Sequence, residues 1–228
     1  MTTDQVSVVM PAWNAERFIE EALRSILDQT VPPAAIVVVD DGSTDATARL
    51  AAGIDRSVTV LRRDHAGVGA SRTAGVAATS SEFVAFLDAD DVWMPAKLER
   101  QLAVFDCDPA TDAVFCHIEE FRDPAGVALA GVRPPRPTAA GTLTSAALLR
   151  RDLFERVGAF DTTPVGEWVG WWARARALGV REHVVPEVLV RRRLHANNNS
   201  HLRHDDGKTF LAIARAHHRT LRDRGARR

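Results

Sequence analysis

The chain of 228 residues is poor in cysteine, in lysine and in long apolar runs, and each shortage narrows what it can be. Cys107 and Cys116 are the only cysteines, and neither has a partner at C-x-x-C spacing. Two thiols without ligand spacing argue against a zinc site and for a reduced, cytoplasmic protein. No apolar run approaches the roughly 20 residues that a membrane helix needs. No basic-then-apolar leader precedes the first strand-like stretch, so the chain is expected to be soluble. Charge of one sign is also lacking. The formal net charge is -1, which gives no whole-chain argument for nucleic acid or an acidic partner. Lysine occurs only at Lys97 and Lys208, and the arginine excess, with the many alanines, reads as coding bias. There is no internal repeat.

What is present is an ordinary globular composition, 46% hydrophobic and 26% charged, in a length that can bury a full core. The first half alternates strand and helix. Val6-Ser7-Val8-Val9-Met10 reads as a strand stopped by Pro11, and Asn14 as the cap of a helix carrying Phe18, Ile19, Ala22, Leu23, Ile26 and Leu27 at helical spacing. Strands follow over 36–39, 58–61 and 83–87, with helices over 46–52 and 70–78 between them. Such spacing predicts parallel, right-handed βαβ units. The second half is less regular. Helices are expected over 97–105, 148–157 and 167–178, and strands over 113–118, 180–185 and 188–194, the last two parted by Pro186-Glu187. Segment 123–137, rich in Pro, Gly and Arg, reads as a mobile loop. A basic C-terminal helix is expected within 206–228.

Two acid clusters carry the chemistry. Asp88-Ala89-Asp90-Asp91 follows the apolar run Phe83-Val84-Ala85-Phe86-Leu87, and Asp40-Asp41 ends another apolar strand. Ligands of open α/β sheets collect at the carboxyl ends of the strands, so both clusters should share one edge. Packing gains nothing from unpaired acids there. Carboxylates at that position suit a hard divalent cation that keeps phosphates and waters in its shell. A polar turn capping the helix near Pro95 would also account for the first cluster.

Three segments taken together resemble the family-2 glycosyltransferases of the GT-A fold: Val6 to Asn14, Val39-Asp40-Asp41-Gly42-Ser43-Thr44-Asp45, and Phe86-Leu87-Asp88-Ala89-Asp90-Asp91. Gly67-Val68-Gly69-Ala70-Ser71-Arg72-Thr73-Ala74-Gly75 looks like that family's Gly-rich segment, with Thr73 in place of the usual Asn. Arg192-Arg193-Leu194-His195 resembles its closing Arg-x-His. The resemblance implies an α/β, Rossmann-like, mostly parallel sheet flanked by helices, with a less regular acceptor half. One domain over 1–205 is expected, its nucleotide-binding half at about 1–95 and its acceptor and metal half at about 96–205. The basic helix beyond it has the charge for peripheral contact with a membrane surface.

By the same resemblance, Pro11, Ala12, Trp13, Asn14, Glu16, Asp40, Asp41, Arg72, Asp88 and Ala89 would bind the nucleotide of a sugar donor, most simply a UDP-sugar. Asp90, completed by His195, would hold Mn²⁺ or Mg²⁺. The acceptor is unknown. Many family members read Glu-Asp where this chain has Glu167-Trp168. Either Glu167 or Asp91 is then the expected catalytic base, and Trp168 offers an aromatic face to an acceptor sugar. Two other readings remain open at this point. One is a nucleotide-sugar-binding protein that has lost its base. The other is an Asp-x-Asp phosphatase, although that motif normally lies early in a chain and continues into Thr or Ser.

Overall fold

Four apolar segments lie side by side as parallel strands: β1 (Val6–Ala12), β2 (Ala35–Asp40), β3 (Val58–Arg62) and β4 (Phe83–Phe86), in the order β3-β2-β1-β4. The computed structural model describes residues 5–123, 134–162 and 166–195. Most of the 123–137 loop, the Asn-rich segment 196–200 and the basic helix expected within 206–228 lie outside the described residues. β1 is buried at all seven positions because strands flank it on both edges and helices cover its faces. That is the environment a continuous Val/Met run predicts.

Pro11 does not stop β1. It pairs in register with Val39 of β2. Val9 O accepts from Leu87 N on the β4 side, and two residues on Pro11 faces the same way, beyond the end of β4. The missing N–H therefore interrupts no ladder. Asn14 does not cap the first helix either. It sits in the left-handed region at φ 49°, and α1 (Ile19–Leu27) begins later, after a turn. Ile19, Ala22, Leu23 and Ile26 form its buried stripe, while Glu20 and Glu21 suit the positive end of its dipole. α2 (Thr47–Ile54) and α3 (Val68–Ala77) complete the βαβ units. A Cβ on Gly75 would lie 2.2 Å from Val9 Cγ1, so only glycine lets α3 settle this close to the sheet.

The second half extends the same sheet with mixed directions. The new strands are β5 (Val92–Trp93), β6 (Ala113–Arg122), β7 (Ala139–Gly141), β8 (Leu148–Arg150) and β9 (Glu182–Leu194). The path continues β4-β8-β6-β9-β5, with β7 on β6. Leu148–Arg150 was expected to open a helix. It instead pairs antiparallel with both β4 and β6, and only α5 (Asp152–Val157) is helical. A three-residue segment, here Leu-Leu-Arg, cannot tell a buried strand from a buried helix by periodicity. The two strands expected around Pro186-Glu187 are one strand, β9, paired parallel to β6 with a register shift where Val185 and Val188 face Cys116 and His117. The proline is accommodated as a bulge. α4 (Lys97–Cys107) and α6 (Glu167–Ala177) pack on this half.

Lys97 is fully buried at the start of α4. Its Nζ donates to Gln101 Oε1 at 2.7 Å and lies 4.0 Å from the Trp93 ring centroid. Gln101 Nε2 in turn donates to Val114 O and Ala146 O. One amide and one aromatic face do not replace the water an ammonium loses, and burial pushes the Lys97 pKa down to about 8. The unfolded chain then holds this proton at pH values where the native protein has released it. Stability should be lowest below about pH 8 and rise as pH climbs towards the unfolded value of 10.5, by on the order of 3 kcal/mol for this group. Lys97→Met removes the titration. Urea melts at pH 7 and 9.5 should show native protein gaining on Lys97→Met as pH rises, and parallel pH responses would contradict the burial argument.

Candidate active site

The carboxyl ends of β1, β2 and β4 place the acid clusters at one edge, as the strand order requires. The loop after β1 is fastened to the loop after β2. Asn14 N donates to Ser43 Oγ, Thr44 N donates to Asn14 Oδ1, Ala15 N donates to Thr47 Oγ1, and Ala46 N donates to Glu16 Oε2. Asn14 and Glu16 thus join loops within the chain, and the left-handed Asn14 is what turns its amide towards Thr44. Trp13, just before Asn14, remains 53% exposed.

Asp40 and Asp41 differ sharply in surroundings. Asp40 is fully buried, with Arg62 Nε 3.3 Å from Oδ2 and no hydrogen-bond partner for Oδ1 among the described residues. Asp41 Oδ1 accepts from Ala66 N and its Oδ2 from Gly67 N, both at 2.9 Å, and His65 Nδ1 lies 2.9 Å from Oδ2. Asp41 therefore shapes the loop that leads into α3. Arg72 projects from α3 into a nearly closed position, 3% exposed. Its Nη2 donates to Asp88 Oδ1 at 2.6 Å and to Thr144 Oγ1 at 3.1 Å, and its Nη1 donates to Glu167 Oε1. Burial works against the guanidinium charge, but Asp88 and Glu167 outweigh it and hold the Arg72 pKa above its ordinary value. The arginine expected to touch nucleotide is committed to two acids of its own chain.

That bridge depends on a close approach of helices. A Cβ on Gly69 would lie 2.1 Å from Asp161 O and 3.3 Å from Glu167 Cβ, so glycine lets α3 press against the start of α6. Glu167 is buried in the first turn of α6, and no donor reaches its Oε2 among the described residues. Trp168 next to it does not present a face to solvent. Its ring is buried, stacked with Trp171 and Trp172, set edge-on to Phe115, and its Nε1 donates to Thr142 O. The expected acceptor platform is instead core, where a large aromatic ring gains most from burial.

The acid loop after β4 sends its three carboxylates in three directions. Asp88 turns to Arg72. Asp91 turns inward, accepting from Ser145 Oγ at 2.8 Å and from Arg193 N at 3.1 Å. Burial, then the neighbouring charges of Asp90 and Asp88, pushes the Asp91 pKa well above the usual carboxylate range. Buried and occupied on both oxygens, Asp91 is placed to hold the loop, and the expectation that it reaches an acceptor hydroxyl is corrected accordingly. Asp90 turns to His195 at the end of β9, with Oδ2 2.9 Å from Nε2. Phe18 lies under the imidazole, 4.6 Å between centroids, and Arg193 Nε donates to Asp90 O.

Asp90 and His195 form a pair, and no cluster of three or more His, Cys, Asp or Glu suited to a metal occurs among the described residues. A pair is sufficient where substrate phosphates and waters complete the shell. A carboxylate oxygen and an imidazole nitrogen held side by side are donors that a divalent ion accepts. The donor set thus fits one small divalent ion, with the imidazole favouring Mn²⁺ over Mg²⁺.

The sequence reading missed three residues that build this edge. His65 precedes the Gly-rich segment and carries no motif signal, while Thr144 and Ser145 lie in a 3-10 turn, Thr144–Ala146, that only the tertiary fold brings under the acid loop.

The pattern of Glycosyl transferase family 2 matches residues 7–158, more than half of the chain. The putative glycosyltransferase EpsH of Bacillus subtilis (strain 168) is 35% identical over 127 residues, 54% of this chain and 36% of that protein, so the match spans about a third of the relative's length. Among solved structures, S. aureus TarS 1–349 in complex with UDP-GlcNAc superposes with a TM-score of 0.77 at 21% identity, covering 93% of this chain and 65% of that one. The mannosyltransferase PcManGT of Pyrobaculum calidifontis, in complex with GDP-Man and Mn²⁺, superposes with a TM-score of 0.65 at 22% identity, covering 82% and 56%. Both share the mixed α/β sheet, the GT-A fold. Sequence motifs, fold and family pattern agree: this chain belongs to glycosyl transferase family 2.

Proposed function

We propose that the protein transfers a sugar from a nucleotide-diphosphate donor, a UDP-sugar in the first instance, to an acceptor hydroxyl with inversion and with help from a divalent ion. One observation carries this reading. Arg72 bonds both Asp88, two residues before Asp90 of the Asp90–His195 pair, and Glu167, which supports a reading in which the proposed diphosphate-facing and proton-accepting groups belong to one bonded cluster. The complexes of TarS with UDP-GlcNAc and of PcManGT with GDP-Man and Mn²⁺ support a nucleotide sugar as donor. Two free thiols, Cys107 and Cys116, fit a reducing compartment such as the cytoplasm. Among the described residues no helix is long and apolar enough to cross a membrane.

In the proposed reaction the acceptor oxygen bonds to the anomeric carbon as the bond from that carbon to the diphosphate oxygen breaks. Glu167 Oε2 takes the hydroxyl proton, and Arg72 on Oε1 keeps the carboxylate oriented and charged for it. Trp13, with Pro11 and Ala12 behind it, is the surface offered to the base, and Asp88 with Ala89 lies nearest the ribose and phosphate. A divalent ion on Asp90 and His195 would stabilise the negative charge that gathers on the leaving diphosphate. A phosphatase would need Asp88 as a free nucleophile, whereas it is bonded to Arg72 at 2.6 Å. The second reading is a nucleotide-sugar-binding protein without turnover. It is favoured by the Arg72–Glu167 pairing and by a buried Trp168 where the family resemblance implies an acid.

Asp90→Asn should fold but lose Mn²⁺-dependent UDP binding, because an amide oxygen lacks the charge to hold the ion. Calorimetry with UDP and Mn²⁺ checks this, and unchanged affinity would remove Asp90 from the metal site. Glu167→Gln keeps an acceptor for Arg72 and should leave UDP affinity intact while lowering turnover by roughly 10²–10⁴-fold. Slow hydrolysis of UDP-sugars, with water as acceptor, gives the rate before the natural acceptor is known. Native protein that binds UDP-sugar but shows no hydrolysis above background would favour the binding protein.

A further inference from the structure

Beneath the acid loop lies a buried polar network that the proposed chemistry does not use. It converges on the 3-10 turn Thr144–Ala146, which is bonded on two sides. The hydroxyls of the turn face the candidate site. Thr144 Oγ1 accepts from Arg72, while Ser145 Oγ donates to Asp91 Oδ2 at 2.8 Å and accepts from Asp88 N at 3.3 Å. The carbonyls of the turn are met from the core. Trp93 Nε1 donates to Ser145 O and Gln101 Nε2 donates to Ala146 O, both at 2.8 Å. So short a helix has little internal bonding, here Ala146 N to Leu143 O and Ala147 N to Thr144 O, and it takes its direction from these outside partners.

The orientation of Gln101 follows from its partners. Val114 O and Ala146 O only accept, so the amide nitrogen faces both and Oε1 is left for Lys97 Nζ, 2.7 Å away. Gln101 and Lys97 are both fully buried, and Lys97 Nζ also lies 4.0 Å from the Trp93 ring centroid. The ammonium thus touches both side chains that hold the turn. Its burial lowers stability at neutral pH. Apolar side chains of similar length at 97 and 101 would fill the same volume without that cost. They would lack the donor that Gln101 aims at Ala146 O.

We propose that Gln101, fixed by Lys97, and Trp93 are positioning residues of the donor site: they hold the Thr144–Ala146 turn so that Ser145 keeps Asp91 inward and Asp90 beside His195. None of the three acts on the ligand directly. The assignment rests on the donor-binding reading above and adds to it the core residues that maintain its geometry. A turn released from its carbonyl partners lets Ser145 Oγ drift from Asp91, and a buried carboxylate short of one bond does not stay where it is. Losing one such bond corresponds to roughly tenfold in affinity.

Two variants of the full chain test this. Lys97→Met/Gln101→Met removes the donor to Ala146 O without stranding the ammonium. Trp93→Phe removes only the N–H to Ser145 O and keeps an aromatic ring. Calorimetry with UDP and Mn²⁺ gives affinity and stoichiometry separately. A variant that is merely less stable loses stoichiometry, whereas a displaced acid loop loses affinity. Amide exchange at Arg193, whose N–H is bonded to Asp91, reads the loop with no ligand present. Each variant should bind UDP with Mn²⁺ at least about tenfold more weakly, and the Arg193 amide should exchange at least about tenfold faster while amides of β1 keep the native rate. Native affinity in whichever variant folds, with only the melting temperature lowered, would make the network a feature of core stability and overturn the assignment. Weaker binding with native exchange at Arg193 would place the fault away from Asp91 and overturn it too. Failure of native protein to bind UDP would instead overturn the donor reading, and this one with it.

Discussion

The acid loop after β4 depends on the inward turn of Asp91. A carboxylate this deeply buried is costly unless its oxygens are bonded, and Ser145 Oγ and Arg193 N supply the bonds. These partners come from the 3-10 turn before β8 and from the end of β9, more than fifty residues and more than a hundred residues along the chain. With Asp91 pinned, the backbone has no choice about its neighbours: Asp90 faces His195 and Asp88 faces Arg72. The second half of the molecule is therefore not an appendage to a nucleotide-binding half. It completes the loop on which the proposed chemistry turns.

A second constraint acts through Arg72. One guanidinium, shut away from solvent, spans an acid at the end of β4 and an acid at the start of α6. Charge-assisted bonds of this kind are strong and directional, and a rigid planar fork can hold two carboxylates at a fixed spacing. Removing either acid would leave a buried cation partly unpaired, which is far more damaging than never having had the pair. The geometry between the two poles of the site is thus protected by the same interaction that stabilises the packing of α3 on α6.

Much of this was legible in the sequence, and the failures have physical causes. Apolar runs gave the parallel half-sheet because strands buried on both faces have a composition that little else shares. The acid motifs gave the edge, since the strand order alone brings Asp40-Asp41 and Asp88 to Asp91 together. Leu148–Arg150 was misread because a three-residue strand held between two others has no periodicity of its own. Asn14 was misread because a cap and a left-handed turn favour the same residue. Pro186-Glu187 looked like a break, but a bulge absorbs a proline without ending a strand. Trp168 shows the limit most clearly. A tryptophan on a helix has the same spacing whether it faces a sugar or the core, and only the stacking of Trp171, Trp172 and Phe115 around it decides.

The aromatic anchoring of α6 also bears on the charge at the site. Where the family resemblance implies two adjacent acids, this chain has Glu167, buried and bonded to Arg72, followed by the buried ring of Trp168. Among the described residues, Asp88, Asp90 and Glu167 stand around the proposed donor position, and Arg72 is already shared by two of them. A diphosphate brings further negative charge to this edge, and at contact distance in a partly desolvated cleft such repulsion amounts to several kcal/mol. The arginines of β9 are already engaged among the described residues. Arg193 is turned to Glu21 and to the backbone of Asp90, while Arg191 and Arg192 pair with Glu119 and Glu120 of β6. On the proposed reading, a divalent ion held by Asp90 and His195 would supply positive charge against the diphosphate. Both residues are positioned through the buried Asp91 and the end of β9, so the fold itself would hold the two donors for such an ion.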